Sequence, residues 1–103
     1  MKIDLIYFEG CPSWQDGLEN LKVALHRLTL TAEINLQRVN TDAEAARLQF
    51  LGSPSFRVDG IELWQEQREQ YSLSCRVYPT PTGLKGAPTV EMLQEKLSTF
   101  QKS

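Results

Sequence analysis

The sequence is short of most features that announce a function. It has one histidine and two cysteines in 103 residues, too few for a structural zinc centre with any familiar ligand spacing. Lysine and arginine number 11 against 13 aspartate and glutamate, for a net charge of −2. With no basic run, a sequence-independent grip on nucleic acid is not expected. The apolar stretch Leu5-Ile6-Tyr7-Phe8 is far too short to cross a bilayer. It is also interrupted by Asp4 and Glu9 where a signal peptide needs an unbroken apolar segment. The expectation is a soluble, cytoplasmic chain with no membrane partner. There is no phosphate-cradling glycine loop, no paired carboxylates in a suggestive setting, no internal repeat and no low-complexity tract.

What is present suits one domain. Apolar residues make up 41% of the chain, and a chain of this length buries roughly two-thirds of its unfolded surface. Lys2 to Phe8 reads as a strand covered on both faces. Glu9-Gly10-Cys11-Pro12 breaks it, and Pro12 suits the first turn of a helix, where its missing N–H costs nothing. Trp14, Leu18, Leu21, Leu25 and Leu28 then form one apolar stripe, predicting a helix from Pro12 to Leu28 with His26 off the stripe and exposed. Glu33 to Asn40 reads as a second strand. Thr41-Asp42-Ala43-Glu44 has the form of a capping box opening a helix to Leu51, with Ala45, Leu48 and Leu51 inward. Ser55 to Val58 and Ile61 to Trp64 flank Asp59-Gly60, a hairpin signal. Glu66 to Gln70 reads as a solvated run, and Trp64 and Tyr71 as core or rim packing that could also line a groove. The stretch from Tyr71 to Pro88 is the least legible, with an edge strand expected over Ser72 to Tyr78. A last helix runs from Pro88 to Phe100 with Val90, Leu93, Leu97 and Phe100 on one side. The order βαβα-ββα, with a right-handed first crossover, predicts an α/β fold: a four-stranded mixed sheet with helices on both faces.

Cys11 falls where a parallel strand hands over to a helix, the junction at which ligands bind in open α/β sheets. A helix N-terminus favours a thiolate, the reactive form of cysteine. The alternative is a small buried hydrophobe under the loop. Cys75 precedes Arg76, whose charge would lower the thiol's pKa if the side chains converged. In a strand, neighbouring side chains point to opposite faces, which favours Cys75 as a core cysteine.

Glu9-Gly10-Cys11-Pro12-Ser13-Trp14 after an apolar strand resembles the active-site loop of the thioredoxin and glutaredoxin superfamily, and Gly52-Ser53-Pro54-Ser55 lies where that family places its cis-proline. The element order is also similar to that family's. The resemblance implies a thioredoxin-like fold with Cys11 as nucleophile, a cis Ser53–Pro54 bond, and Pro12, Ser53 and Pro54 beside an extended thiol or disulfide substrate, protein or small molecule. One departure is plain: three residues after Cys11, where dithiol members carry a second cysteine, stands Trp14. A dithiol reaction confined to the loop is therefore excluded. The mixed disulfide must be resolved by an external thiol such as glutathione acting as co-substrate, with no other cofactor, or by Cys75 if the fold brings it near. Two further readings stay open. One is a non-catalytic binding module using a sheet edge and the segment from Gln65 to Ala87. The other is capture of a soft metal or organomercurial by Cys11 and Cys75, since the chain is also similar to small thioredoxin-like proteins grouped with mercury resistance.

Overall fold

A computed structural model describes residues Met1 to Phe100. Strand β1 (Lys2–Tyr7) leads to helix α1 (Ser13–Arg27), strand β2 (Glu33–Arg38), helix α2 (Asp42–Leu48) and the hairpin of β3 (Ser55–Val58) with β4 (Ile61–Glu62). A second small hairpin, β5 (Tyr78–Thr80) and β6 (Gly83–Lys85), precedes helix α3 (Val90–Ser98). The main sheet has the order β2-β1-β3-β4. β1 runs parallel to β2, from Lys2 opposite Glu33 to Tyr7 opposite Arg38, and antiparallel to β3, with Ile3 opposite Val58. This is the four-stranded mixed sheet expected from the element order. Among the described residues no helix is long and apolar enough to cross a membrane.

The alternation of β1 divides the interior into two layers. Ile3 and Leu5 face one side, packing with Phe56 and Val58 of β3, with Leu21, Ala24 and Leu25 of α1, and with Leu93 and Leu97 of α3. Ile6 faces the other, against Val39, Ala45 and Phe50, with Phe8 and Leu48 alongside. The α1 stripe behaves as its spacing requires: Leu21 and Leu25 are buried, Trp14, Leu18 and Leu28 partly so, and His26 is exposed. Thr41 caps α2 by accepting from the Glu44 amide at 3.1 Å, and Thr89 caps α3 in the same way through the Met92 amide. The α3 helix therefore begins after Pro88, whose carbonyl instead accepts from Asn20 of α1 at 2.8 Å.

Beyond shifts of one or two residues at element ends, three features differ from the sequence reading. The second helix stops at Leu48 because Gln49 turns left-handed, with φ 54, and Phe50 is thereby carried into the lower layer at zero exposure. β4 is shorter than expected, as Glu62 and Trp64 are drawn into bonds with arginine side chains. The edge strand expected over Ser72 to Tyr78 does not form. Only Cys75 pairs, in an isolated parallel bridge with Ser53, and the regular structure beyond it is the β5–β6 hairpin, with Asp59-Gly60 making the tight turn between β3 and β4 as its positive φ values require.

Gly17 sits inside α1 where the helix meets Pro54 and Phe56. A Cβ there would lie 3.0 Å from Pro54 Cγ and 3.1 Å from Phe56 Cζ, both on rigid rings. Alanine would gain up to about 1 kcal/mol in helix propensity, yet overpacking a well-filled site costs about 1–3 kcal/mol. Gly17→Ala is thus expected to lower stability by about 1–2 kcal/mol in a denaturant titration, whereas a gain in stability would show that the helix has room to move away from Pro54.

Candidate functional site

The turn after β1 presents Cys11. The Cys11 amide donates to the Phe8 carbonyl at 3.2 Å, and Pro12 then occupies the N-cap of α1 without a side-chain cap bond. Cys11 is only 2% exposed, so its sulfur is covered where a reachable one was expected. Its thiol donates to the Ser53 carbonyl at 3.6 Å. Ser53 itself has zero exposure, and the Ser53–Pro54 peptide bond is cis. Pro12 lies exposed at the rim.

Cys75 arrives from the other side of Ser53. The Ser53 amide donates to the Ser74 carbonyl at 2.8 Å, and the Arg76 amide donates to the Ser53 carbonyl at 3.0 Å. Those two bonds lay the segment 74–76 along residue 53. Both cysteines are free, Cys11 buried and Cys75 exposed. The loss of water around the Cys75 thiol pushes its pKa up to about 11, with hydrogen bonding to and charge repulsion from the Cys11 sulfur adding to the rise. What places the two cysteines near one another is Ser53, whose carbonyl takes the Cys11 thiol and whose backbone pairs with Cys75. The fold thus brings Cys11, Ser53, Pro54 and Cys75 together, and only Pro12 among the expected site residues stands at the edge.

One expectation for Cys75 is corrected, and the condition set on Arg76 is decided. It is exposed rather than a core cysteine, because the expected edge strand does not form and its only pairing is the isolated bridge to Ser53. Arg76 does not converge with the thiol, as neighbouring side chains on opposite sides require. Its side chain turns the opposite way, buried at 7% exposure, where Nη1 donates to Glu62 at 3.0 Å and Nη2 to the Trp64 carbonyl. Glu62 also accepts from Arg57 Nε at 2.9 Å. Burial raises the Glu62 pKa, against the pull of both guanidinium groups. Two residues on, the buried Tyr78 hydroxyl donates to the Pro54 carbonyl, and burial pushes its pKa well above the ordinary tyrosine range.

The inward anchors, Glu62 and Tyr78, escaped the sequence reading. The usable signal was the alternation Cys75-Arg76-Val77-Tyr78, exposed and buried in turn, which has period two without a ladder. Trp14 stacks on Tyr7 with ring centroids 4.1 Å apart, and Trp64 packs edge-on to Tyr78 and Phe56. Trp64 is core packing, while Tyr71 helps line a cavity of about 560 Å³ with Leu48, Arg57 and Ile61, a cavity that touches neither cysteine. No group of three His, Cys, Asp or Glu able to hold a metal occurs among the described residues.

Comparisons with protein-family models, with curated proteins and with solved structures find no match to this chain.

Gly52 makes the approach of the two segments possible. Its φ is +115, and a Cβ there would lie 2.9 Å from both the backbone nitrogen and Cβ of Arg76. Gly52→Ala is expected to cost about 2–4 kcal/mol, from a conformation hostile to side chains plus the backbone clash. Because the clash falls on the segment 74–76, the variant should also raise the alkylation rate of Cys11 in the folded protein. An unchanged stability and alkylation rate would show that residue 52 does not set the contact.

Proposed function

We propose that the protein is a thioredoxin-like thiol–disulfide redox protein whose working unit is the pair Cys11 and Cys75. The single observation that carries this reading is the convergence of both cysteines on Ser53: one thiol bonds its carbonyl, and the other residue is paired with its backbone. The order of elements, the loop Glu9-Gly10-Cys11-Pro12-Ser13-Trp14 and the cis Ser53–Pro54 bond support the thioredoxin-like assignment. Trp14 leaves the loop with one thiol, and Cys75 supplies the second from a distant part of the chain.

The chemistry is a two-step exchange. One protein thiolate attacks a sulfur of a substrate disulfide, forming a mixed disulfide and releasing the first substrate thiolate. The remaining protein thiol, deprotonated, attacks the protein sulfur of that mixed disulfide and releases the second substrate thiolate. The substrate gains two electrons and two protons overall, and the protein is left with a Cys11–Cys75 disulfide. Two equivalents of a small thiol of the glutathione class return the protein to its dithiol form. The buried sulfur is shielded from adventitious oxidants, and its partner is held within reach, so the internal step does not wait for a collision.

The same convergence favours a second reading, in which the two sulfurs hold a soft, two-coordinate metal ion or an organomercurial between them. The two are separated by experiment. On equilibration with glutathione disulfide, the monomeric protein should lose both thiols together to one intramolecular disulfide, and neither Cys11→Ser nor Cys75→Ser should form an internal bond. Disulfide-reductase turnover coupled to glutathione should disappear in the Cys11→Ser variant. Two thiols that remain free, or that pair only between molecules, would overturn the redox reading. Tight one-to-one metal uptake by such a protein would then promote the second.

A further inference from the structure

From the opposite exposures of the paired cysteines, we propose that Cys75 is the sulfur that exchanges with external partners and Cys11 the internal sulfur that resolves the mixed disulfide. This inverts the roles that the loop resemblance implies, and it rests on the redox reading of the same pair.

Access decides the matter first. Thiol–disulfide exchange requires the attacking sulfur, the attacked sulfur and the leaving sulfur to lie in line, so a sulfur covered on all sides cannot enter. Cys11 is 2% exposed while Cys75 is open to solvent. The cover over Cys11 is a built feature. The segment 74–76 is bonded to Ser53 through two backbone hydrogen bonds, Arg76 within it is held by Glu62 and the Trp64 carbonyl, and Tyr78 just beyond it is held by the Pro54 carbonyl. Removing that cover to admit a partner to Cys11 would break those bonds and expose the buried Arg76. Exchange at Cys75 breaks none of them.

The outward face of the segment also has a chemical preference. Cys75 and Val77 point to solvent on the same side, and Val77 is 57% exposed. A partner whose reactive sulfur is flanked by an apolar group would cover that side chain as it docks.

In the oxidised protein an external thiolate of the glutathione class attacks Cys75. A bond forms between the external sulfur and Cys75, the Cys11–Cys75 bond breaks, and its electron pair leaves on Cys11. A second external thiolate attacks the external sulfur, releasing the small disulfide and a Cys75 thiolate that takes up a proton. The raised pKa of Cys75 slows both its departure in the second step and its attack as a thiolate in the reverse direction, so access rather than thiolate population selects the entry sulfur. Run in reverse, the same steps let glutathione disulfide oxidise the protein.

The test uses the full chain and glutathione disulfide as probe, with the modified residue located by peptide mass analysis. With glutathione disulfide in excess over glutathione, the Cys11→Ser variant should accumulate a mixed disulfide at Cys75, because no internal thiol remains to resolve it. The Cys75→Ser variant should take up glutathione at Cys11 about tenfold more slowly or not at all. Cys11→Ala and Cys75→Ala, with far-UV spectra matching the parent, provide the same comparison should either serine variant fold poorly. Modification of Cys11 in the Cys75 variants at a rate equal to or above that of Cys75 in the Cys11 variants would overturn the assignment. The parent reading is scored separately on the unsubstituted protein, since an internal disulfide forming there upholds the couple whichever sulfur is the entry point. Its failure to form would remove both proposals together.

Discussion

The site depends on one buried serine. Ser53 uses its amide on Ser74, its carbonyl on both the Arg76 amide and the Cys11 thiol, and its hydroxyl on the Phe8 amide at 3.3 Å. The end of β1, the loop that carries Cys11 and the segment that carries Cys75 are thereby tied to one residue with no exposure to water. A buried polar group left without a partner costs about 1–3 kcal/mol, so each of these bonds resists opening more strongly than its surface equivalent would. Two residues far apart in sequence are held together without a covalent link, a metal or a long strand pairing.

The orientation of the thiols has a separate cause. An extended segment sends alternate side chains to opposite sides, and here the inward positions are occupied by Arg76 and Tyr78. The guanidinium is the costlier to bury, and it is tolerated because Glu62 and the Trp64 carbonyl satisfy it. With those two residues fixed inward, Cys75 faces outward on the segment that pairs with Ser53. The ion pair and the tyrosine therefore act as positioning groups. They touch neither sulfur and determine where one of them goes. The layer beneath provides the rigidity: Phe56, Trp64 and Tyr78 meet edge to face, and Gly17 lets α1 close down on Pro54.

Much of this was legible in the sequence, for local reasons. The apolar spacing of α1, the Asp59-Gly60 turn and the threonine cap at Thr41 each fix their own geometry within a few residues, and the sheet follows from the order of elements. Pro12 and Cys11 could be placed at the strand–helix junction on the same basis. The stretch from Tyr71 to Pro88 resisted reading because its structure is not local. A single bridge at Cys75 leaves no periodic apolar signal, and Arg76 reads as a surface residue until Glu62 is known to lie beneath it. Leu48 and Leu51 suggested a longer second helix, since nothing in the identity of Gln49 announces a left-handed turn. Neither the burial of Cys11 nor the exposure of Cys75 is a local property, for the same reason: the segment that meets Ser53 comes from 63 residues beyond Cys11, at Ser74.

The claim on which the account turns is that the segment 74–76 is docked on Ser53 in the resting protein. Hydrogen exchange at the individual backbone amides measures that docking directly. The Ser53 and Arg76 amides should exchange slowly, with protection approaching that of the β1 amides, while the neighbouring Val77 amide exchanges far faster. An Arg76 amide that exchanges as freely as an unstructured peptide would mean that Cys75 is not held over Cys11, and the paired site would not exist.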